Sequence, residues 1–143
     1  MQVYLKVAQS NVQLNSSCLC GAVNFTASKA RKSIGACHCG MCRKWGGGPA
    51  MFVPCESEVT FTGKENISVF DSSEWAERGF CKHCGSHLFY RIKESHNHFI
   101  PVGLFDNQDS FVFERQACID RKPSFYSFEN KTTNVTEAQV LGQ

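Results

Sequence analysis

Cysteine spacing constrains the fold of this chain more than any other feature of its sequence. Nine of the 143 residues are cysteine, and seven of the nine fall into three short clusters. The clusters are Cys18-Leu19-Cys20, Cys37-His38-Cys39-Gly40-Met41-Cys42 and Cys81-Lys82-His83-Cys84. Residues 1–7 show neither the basic start nor the apolar run of a secretory signal, so we expect a cytoplasmic protein. Because the cytosol keeps thiols reduced, cysteines at this density indicate metal binding or catalysis.

Length and composition indicate one domain spanning residues 1–143. Hydrophobic residues make up 42% of the chain and charged residues 20%, with only 4 prolines, which excludes a disordered or collagen-like chain. A chain of this length has little room for a second core. Its apolar stretches fall far short of the roughly 20 residues that a bilayer-spanning helix requires, so we expect no membrane partner.

The charge balance argues against nucleic acid as a partner. Fifteen Lys and Arg residues against 13 Asp and Glu residues give a formal charge of +2. These charges are scattered along the chain, whereas a phosphate-binding surface needs a basic patch or stripe. We therefore expect no nucleic-acid partner, and the sequence leaves the oligomeric state open.

Apolar patterning predicts a mainly β fold with little helix. Alternation with a period of two, or a short apolar run, marks strand-length segments at 22–26, 50–53, 59–62, 67–70, 88–90 and 111–113. Helical periodicity over 11 or more residues is absent, and the best short helix candidates are 40–44 and 136–141. The pattern is typical of mostly antiparallel sheets.

Two cysteine pairs have the spacing of a closed structural zinc site. Cys18/Cys20 and Cys81/Cys84 enclose one or two residues, and a glycine follows each pair directly. Such tight turns present two sulfurs to one point, and tetrahedral zinc in structural sites takes four ligands. The two pairs therefore predict a four-cysteine zinc site that ties together positions about 60 residues apart in the sequence.

The remaining cluster offers three sulfurs, those of Cys37, Cys39 and Cys42. Three protein ligands with an open fourth position are common in catalytic zinc sites, so we predict a second zinc with an open position. A fourth protein ligand would instead close this site, and the candidates are Cys55, His38, His83 and His87. A metal-free redox pair is a further alternative, which the third sulfur and the lack of a βαβ pattern disfavour.

The three clusters, in this order, resemble the glutathione-dependent formaldehyde-activating enzyme family, also called the centromere-protein-V-like family. The matching runs are 17–23, 37–44 and 78–89, with looser similarity towards the C-terminal end. The resemblance implies an Mss4-like β-tent, in which zinc-binding turns hold small antiparallel sheets together. The resemblance assigns four cysteines to structural zinc, namely Cys18, Cys20, Cys81 and Cys84. It assigns three others to an active-site zinc, namely Cys37, Cys39 and Cys42.

The same resemblance implies a carbon–sulfur lyase. The typical reaction of the family joins a small thiol such as glutathione to an aldehyde such as formaldehyde, or cleaves that adduct. An open three-cysteine zinc suits this chemistry because it would favour the thiolate form of a substrate thiol. Arg43 and Lys44 are candidate cations for the thiolate charge or a glutathione carboxylate, or else solvated side chains. The alternative function is a non-catalytic, zinc-stabilised binding module of the same fold.

Several residues outside the cysteine clusters have weaker expected roles. We interpret His87 as a candidate proton carrier and Cys118 as a buried small hydrophobic residue. His96 and His98 are spaced to alternate on a strand and share a solvent face. The glycines at 46–48 are expected to turn the chain into the next strand. Aromatic residues either fill the core or roof a pocket; they include Trp45, Trp75, Phe52, Phe80, Phe89, Tyr90 and Phe105.

Overall fold

The computed structural model describes residues 11–106 and 108–142. Its strands are β1 (Asn11–Ser17), β2 (Asn24–Arg31), β3 (Ser33–Cys37), β4 (Ala50–Glu56), β5 (Val59–Thr62), β6 (Ile67–Phe70), β7 (Ala76–Cys81), β8 (His87–Ile92), β9 (His98–Pro101), β10 (Val112–Ala117) and β11 (Thr133–Asn134). The helices are α1 (Gly40–Gly46), α2 (Glu137–Val140) and the 3-10 turns Lys64–Asn66, Val102–Leu104 and Ile119–Arg121. The predicted mainly β fold with little helix is confirmed. The stretch 1–7 lies outside the described residues.

The strands form two sheets of very different size. The smaller sheet is antiparallel and has the order β1-β2-β5, whereas the larger one has the order β11-β10-β3-β4-β9-β8-β7-β6. In the larger sheet β10 runs parallel to both β3 and β11, and the other pairings are antiparallel. Alternation cannot predict strand direction, because no hairpin turn fixes how β10 returns to β3 from far along the sequence.

Each segment predicted as a strand contributes to a strand of the structure, in β2, β4, β5, β6, β8 and β10. Both helix candidates are confirmed, as α1 and α2. Gly47 ends α1 in the left-handed conformation, with φ 86°, and the chain then enters β4 as expected. Strand β3 was not predicted because it is buried along most of its length and therefore lacks polar alternation. No helix in the described part of the chain is long and apolar enough to cross a membrane.

Two apolar clusters lie on opposite faces of the larger sheet. Successive residues of β4 and β9 point to different clusters, as Phe52 and Val53 show in one strand and Phe99 and Ile100 in the other. The first cluster is shared with the three-stranded sheet. The second contains Cys42 and borders Cys37 and Cys39 on the other face. Strands β4 and β9 therefore separate the main core from the three-cysteine cluster.

The two histidines expected to share a solvent face do not do so. His96 lies in an exposed turn with φ 61°, whereas His98 begins β9 and is buried against the rings of Phe61 and Phe89. The Nδ1 atom of His98 donates to the carbonyl oxygen of Glu56, at 3.2 Å. The expectation was wrong because the strand starts only at His98, so no alternation relates the two side chains. Burial lowers the pKa of His98 to about 4.

The depressed pKa of His98 predicts an acid-dependent loss of stability. His98 stays neutral in the folded protein, whereas the unfolded chain is protonated there below its usual pKa of 6.5. The stability that neutral His98 supplies is complete above pH 6.5 and is lost as the pH falls towards 4, by up to roughly 3 kcal/mol. In urea unfolding measured from pH 7 to pH 4, His98→Gln should flatten this decline, whereas His96→Gln should not. Identical pH profiles for His98→Gln and the wild type would contradict the prediction.

Candidate functional site

Four cysteines from distant parts of the chain meet at one point. The sulfurs of Cys18, Cys20, Cys81 and Cys84 all lie within 4.8 Å of one another. The Sγ atom of Cys20 is 3.7 Å from that of Cys18 and 3.8 Å from that of Cys81. A tetrahedron of sulfurs about 2.3 Å from zinc has edges of about 3.8 Å. The donor set therefore fits zinc, and the group could hold a metal ion.

Two glycine turns present these sulfurs. Gly21 and Gly85 adopt the left-handed conformation that favours glycine, with φ of 81° and 75°. Ser86 links the turns, because its hydroxyl accepts from the Leu19 amide at 3.1 Å and lies 3.2 Å from the Sγ atom of Cys84. Hydrogen bonds to Cys84, first those from the hydroxyl and the backbone of Ser86 and then those from Cys20, lower its pKa to about 5, which favours the thiolate that a metal requires.

A second cluster lies at the start of α1. The sulfurs of Cys37, Cys39 and Cys42 also lie within 4.8 Å of one another. Cys37 ends β3, Cys39 caps the helix, and Cys42 follows in its first turn. The amide of Cys42 donates to the Sγ atom of Cys39 at 3.3 Å, so the cap gives the cluster its shape. This group too could hold a metal ion.

The thiols of Cys37, Cys39 and Cys42 differ in how readily they ionise when no cation is bound. Hydrogen bonds from Cys37 and Cys42 lower the pKa of Cys39 to about 2, whereas hydrogen bonds with Cys37 and Cys39 raise that of Cys42. The protein alone therefore stabilises one thiolate and holds its neighbour protonated. A divalent cation would allow all three cysteines to ionise, which is the donor chemistry of zinc.

Arg78 is the cation that faces this cluster. Its guanidinium is buried, lies 3.6 Å from the Sγ atom of Cys42 and sits over the ring of Tyr90 at 4.9 Å. Sequence reasoning considered Arg43 and Lys44 instead. The Nε atom of Arg43 donates to the backbone carbonyl oxygen of His38 at 2.9 Å, and Lys44 is exposed. The signal for Arg78 was its place at the start of the matching run 78–89, three residues before a cysteine.

Two proposed closing ligands are occupied elsewhere. Cys55 is buried in the main core, donates to the carbonyl oxygen of Val53 at 3.4 Å, and has a pKa raised by burial. His38 is fully buried, with Nε2 2.8 Å from Oε1 of Gln116 and Nδ1 2.8 Å from the hydroxyl of Tyr126. Because the amide oxygen only accepts, Nε2 donates to it, and His38 thus supports the cluster segment without adding a ligand.

The other two candidate histidines, His83 and His87, are not among the ligand atoms that lie within 4.8 Å of one another at this cluster. The Nε2 atom of His83 is 2.8 Å from Oδ1 of Asn66. His87 packs against the ring of Trp45, with centroids 4.8 Å apart, and burial and Arg78 lower its pKa. In the described ranges 11–106 and 108–142, the group around Cys42 thus comprises three potential ligands.

Cys118 contacts the cluster, which the sequence did not reveal. It is buried, as expected, but it hydrogen-bonds Cys37 and so raises the pKa of that thiol. Cys118 follows Ala117, which pairs with Cys37 across the parallel strands β10 and β3. At Cys118 the backbone leaves the extended conformation of β10, with φ 54°. Only knowledge of the parallel pairing of β10 with β3 could have placed this residue.

A cavity of about 200 Å³ opens beside the three sulfurs. Its surface is mostly apolar, and its charged lining residues are Arg78 and Glu137. The apolar side chains come from distant elements and form what we call the apolar wall, which consists of Met41, Phe52, Trp75, Tyr90, Val140 and Leu141. The three-cysteine cluster therefore adjoins a mostly apolar cavity.

Comparison with known proteins shows the class of protein that this fold and these sites define. Residues 13–120 match the model of the glutathione-dependent formaldehyde-activating enzyme family, so the chain belongs to that family. The resemblance found in the sequence is thereby confirmed.

Two individual proteins are also similar. An uncharacterized lyase of Schizosaccharomyces pombe (strain 972 / ATCC 24843) is 35% identical over 130 residues, which span 90% of this chain and 95% of that protein. A crystal structure of a Rhodobacter sphaeroides protein matches with a TM-score of 0.53 and 22% identity, covering 66% of this chain and 89% of that one. The latter likeness shows a shared fold.

The two cysteine groups should respond differently to mutation. Cys81→Ser removes a sulfur from the group that joins the two sheets, and structural zinc in small domains contributes roughly 10 kcal/mol or more of apparent binding energy. We expect insoluble or unfolded protein. Cys39→Ser should stay folded and retain about one zinc, because its cluster lies outside the main core. Circular dichroism and metal analysis by mass spectrometry measure both outcomes, and an equal loss of structure in the two variants would contradict this division.

Arg78 should strengthen metal binding at the three-cysteine cluster. Three thiolates and one Zn²⁺ carry a net charge of −1, which a buried guanidinium offsets. Arg78→Met should weaken zinc retention at this cluster about 10- to 100-fold, measured by competition with a chromophoric chelator. Lys44→Met, which removes an exposed cation from the same segment, is the matched control and should change little. Equal zinc retention in Arg78→Met and the wild type would exclude this role.

Proposed function

We propose that this protein is a zinc-dependent lyase that forms or cleaves the adduct between a small thiol, such as glutathione, and an aldehyde. The observation that carries the proposal is the three-cysteine cluster beside a cavity, separate from the four-cysteine group between the sheets. Family membership and the name of the fission yeast relative support a lyase. The proposal assigns Cys18, Cys20, Cys81 and Cys84 to structural zinc, and Cys37, Cys39 and Cys42 to the reactive site.

The reaction joins the sulfur of the thiol to the carbonyl carbon, while a proton moves from sulfur to the carbonyl oxygen. Cys37, Cys39 and Cys42 would hold the zinc, which when bound would supply a Lewis acid that favours the thiolate form of a thiol at neutral pH. Arg78, at 3.6 Å from Cys42, offsets the negative charge that this site gathers.

His87 is the proposed proton carrier. Its pKa is lowered by burial and by Arg78, so the imidazole is neutral at pH 7 and has a nitrogen free to accept a proton. It lines a second cavity together with Cys42, Arg78 and Tyr90. A proton accepted from the thiol would then be available for the oxygen of the adduct.

Kinetics of adduct formation test the proposal. The zinc-loaded protein should accelerate the exchange between glutathione, formaldehyde and S-hydroxymethylglutathione, measured by NMR exchange spectroscopy at equilibrium. Cys39→Ser should abolish the acceleration, since it removes a ligand of the reactive site. Cys55→Ser is the matched control, because this buried thiol lies in the main core, and it should leave both the rate and the zinc content unchanged.

Two outcomes would count against an enzyme. Exchange no faster with the wild type than with Cys39→Ser, for every thiol and aldehyde tried, would favour the alternative of a zinc-stabilised binding module. X-ray absorption that shows four sulfurs at both zincs, with one lost in Cys55→Ser, would exclude the open site.

A further inference from the structure

The cavity beside the three-cysteine cluster has a mostly apolar lining. The six side chains of the apolar wall come from α1, β4, β8, the segment before β7 and the C-terminal end of the described chain. Phe52, Tyr90 and Val140 are buried, whereas Met41, Trp75 and Leu141 are 41%, 44% and 48% exposed. The wall therefore runs from the cluster outward to an apolar rim.

The two charged residues of the cavity already have partners. Arg78 is engaged with the Sγ atom of Cys42 and with the ring of Tyr90. The Oε1 atom of Glu137 accepts two hydrogen bonds from Arg121, at 2.9 and 3.2 Å. Glutathione carries two carboxylates and an ammonium at neutral pH, and charges buried without partners are strongly unfavourable. The charged ends of such a peptide would therefore lie outside the cavity.

We propose, as an extension that rests on the proposed function, that the aldehyde handled at this site carries an apolar aliphatic or aromatic group, which occupies the cavity. Formaldehyde has only hydrogen in that position and would leave the apolar wall without a contact. An aldehyde with an alkyl chain buries its apolar surface there while its carbonyl faces the three sulfurs. Such burial stabilises the bound state by an amount that grows with each methylene.

A comparison of two aldehydes tests this inference. With glutathione as the thiol, kcat/KM for hexanal should exceed that for formaldehyde at least about tenfold, after subtraction of the rate without protein. Leu141→Asp places a charge on the apolar rim, so it should lower the ratio of the hexanal value to the formaldehyde value about tenfold. A value for formaldehyde that equals or exceeds that for hexanal in the wild type would overturn the inference.

The controls separate a specific effect from a general one. Phe125→Asp introduces the same charge at a residue that is 84% exposed and is not among the residues lining the cavity, and it should alter neither rate. Circular dichroism verifies folding, and Trp75→Asp, at the rim just before β7, replaces Leu141→Asp if the latter does not fold. Equal effects of the rim variant and Phe125→Asp would overturn the inference.

A binding measurement distinguishes this inference from the proposed function. If neither aldehyde reacts, the lyase proposal fails, and binding of 1-hexanol then decides whether the cavity takes an apolar group. Titration calorimetry of the zinc-loaded protein should show millimolar or tighter binding of 1-hexanol that the rim variant weakens about tenfold. Absence of binding, or binding that the rim variant leaves unchanged, would overturn the inference on its own.

Discussion

The four-cysteine group is the interaction on which the remainder of the structure depends. Cys18 and Cys20 follow β1 of the small sheet, whereas Cys81 ends β7 of the large sheet and Cys84 lies in the connection from β7 to β8. A metal bound there would hold the two sheets against their shared core, which is modest in a chain of this size. The same connection sets the register of β7 with β8, in which Arg78 pairs with Tyr90. The turn that carries two of the four cysteines thus helps to position Arg78 and Tyr90 beside the other cluster.

Electrostatics set the character of the three-cysteine site. Its thiols stabilise a single thiolate when they act alone, so ionisation of all three depends on a bound cation. Arg78 adds a second positive charge from β7, and hydrogen bonds to His38 hold the segment from β3 to α1 in place. The site therefore combines a local ligand set with support from strands that are remote in the sequence.

The sequence predicted those features that depend on local spacing, and it missed those that depend on pairing between distant strands. Cysteine spacing was sufficient to predict both thiol groups, since each turn brings its own sulfurs together. The position of Arg78 beside the cluster depends on the register of β7 with β8, and that of Cys118 depends on the register of β10 with β3. His98 was misplaced because alternation cannot show where a strand begins. Burial of a polar side chain in a mainly β fold is decided by such pairings.

Successive side chains of β4 and β9 pack in two separate apolar clusters, so substitutions in these strands fall into two classes. Phe52, on one face, lines the cavity, whereas Val53 and Ile100, on the other face, belong to the core between the sheets. The lining of the cavity and the core between the sheets are therefore set by different residues of the same strands. Selection can change the cavity while the core between the sheets stays constant, which allows a lineage to vary its site on one scaffold.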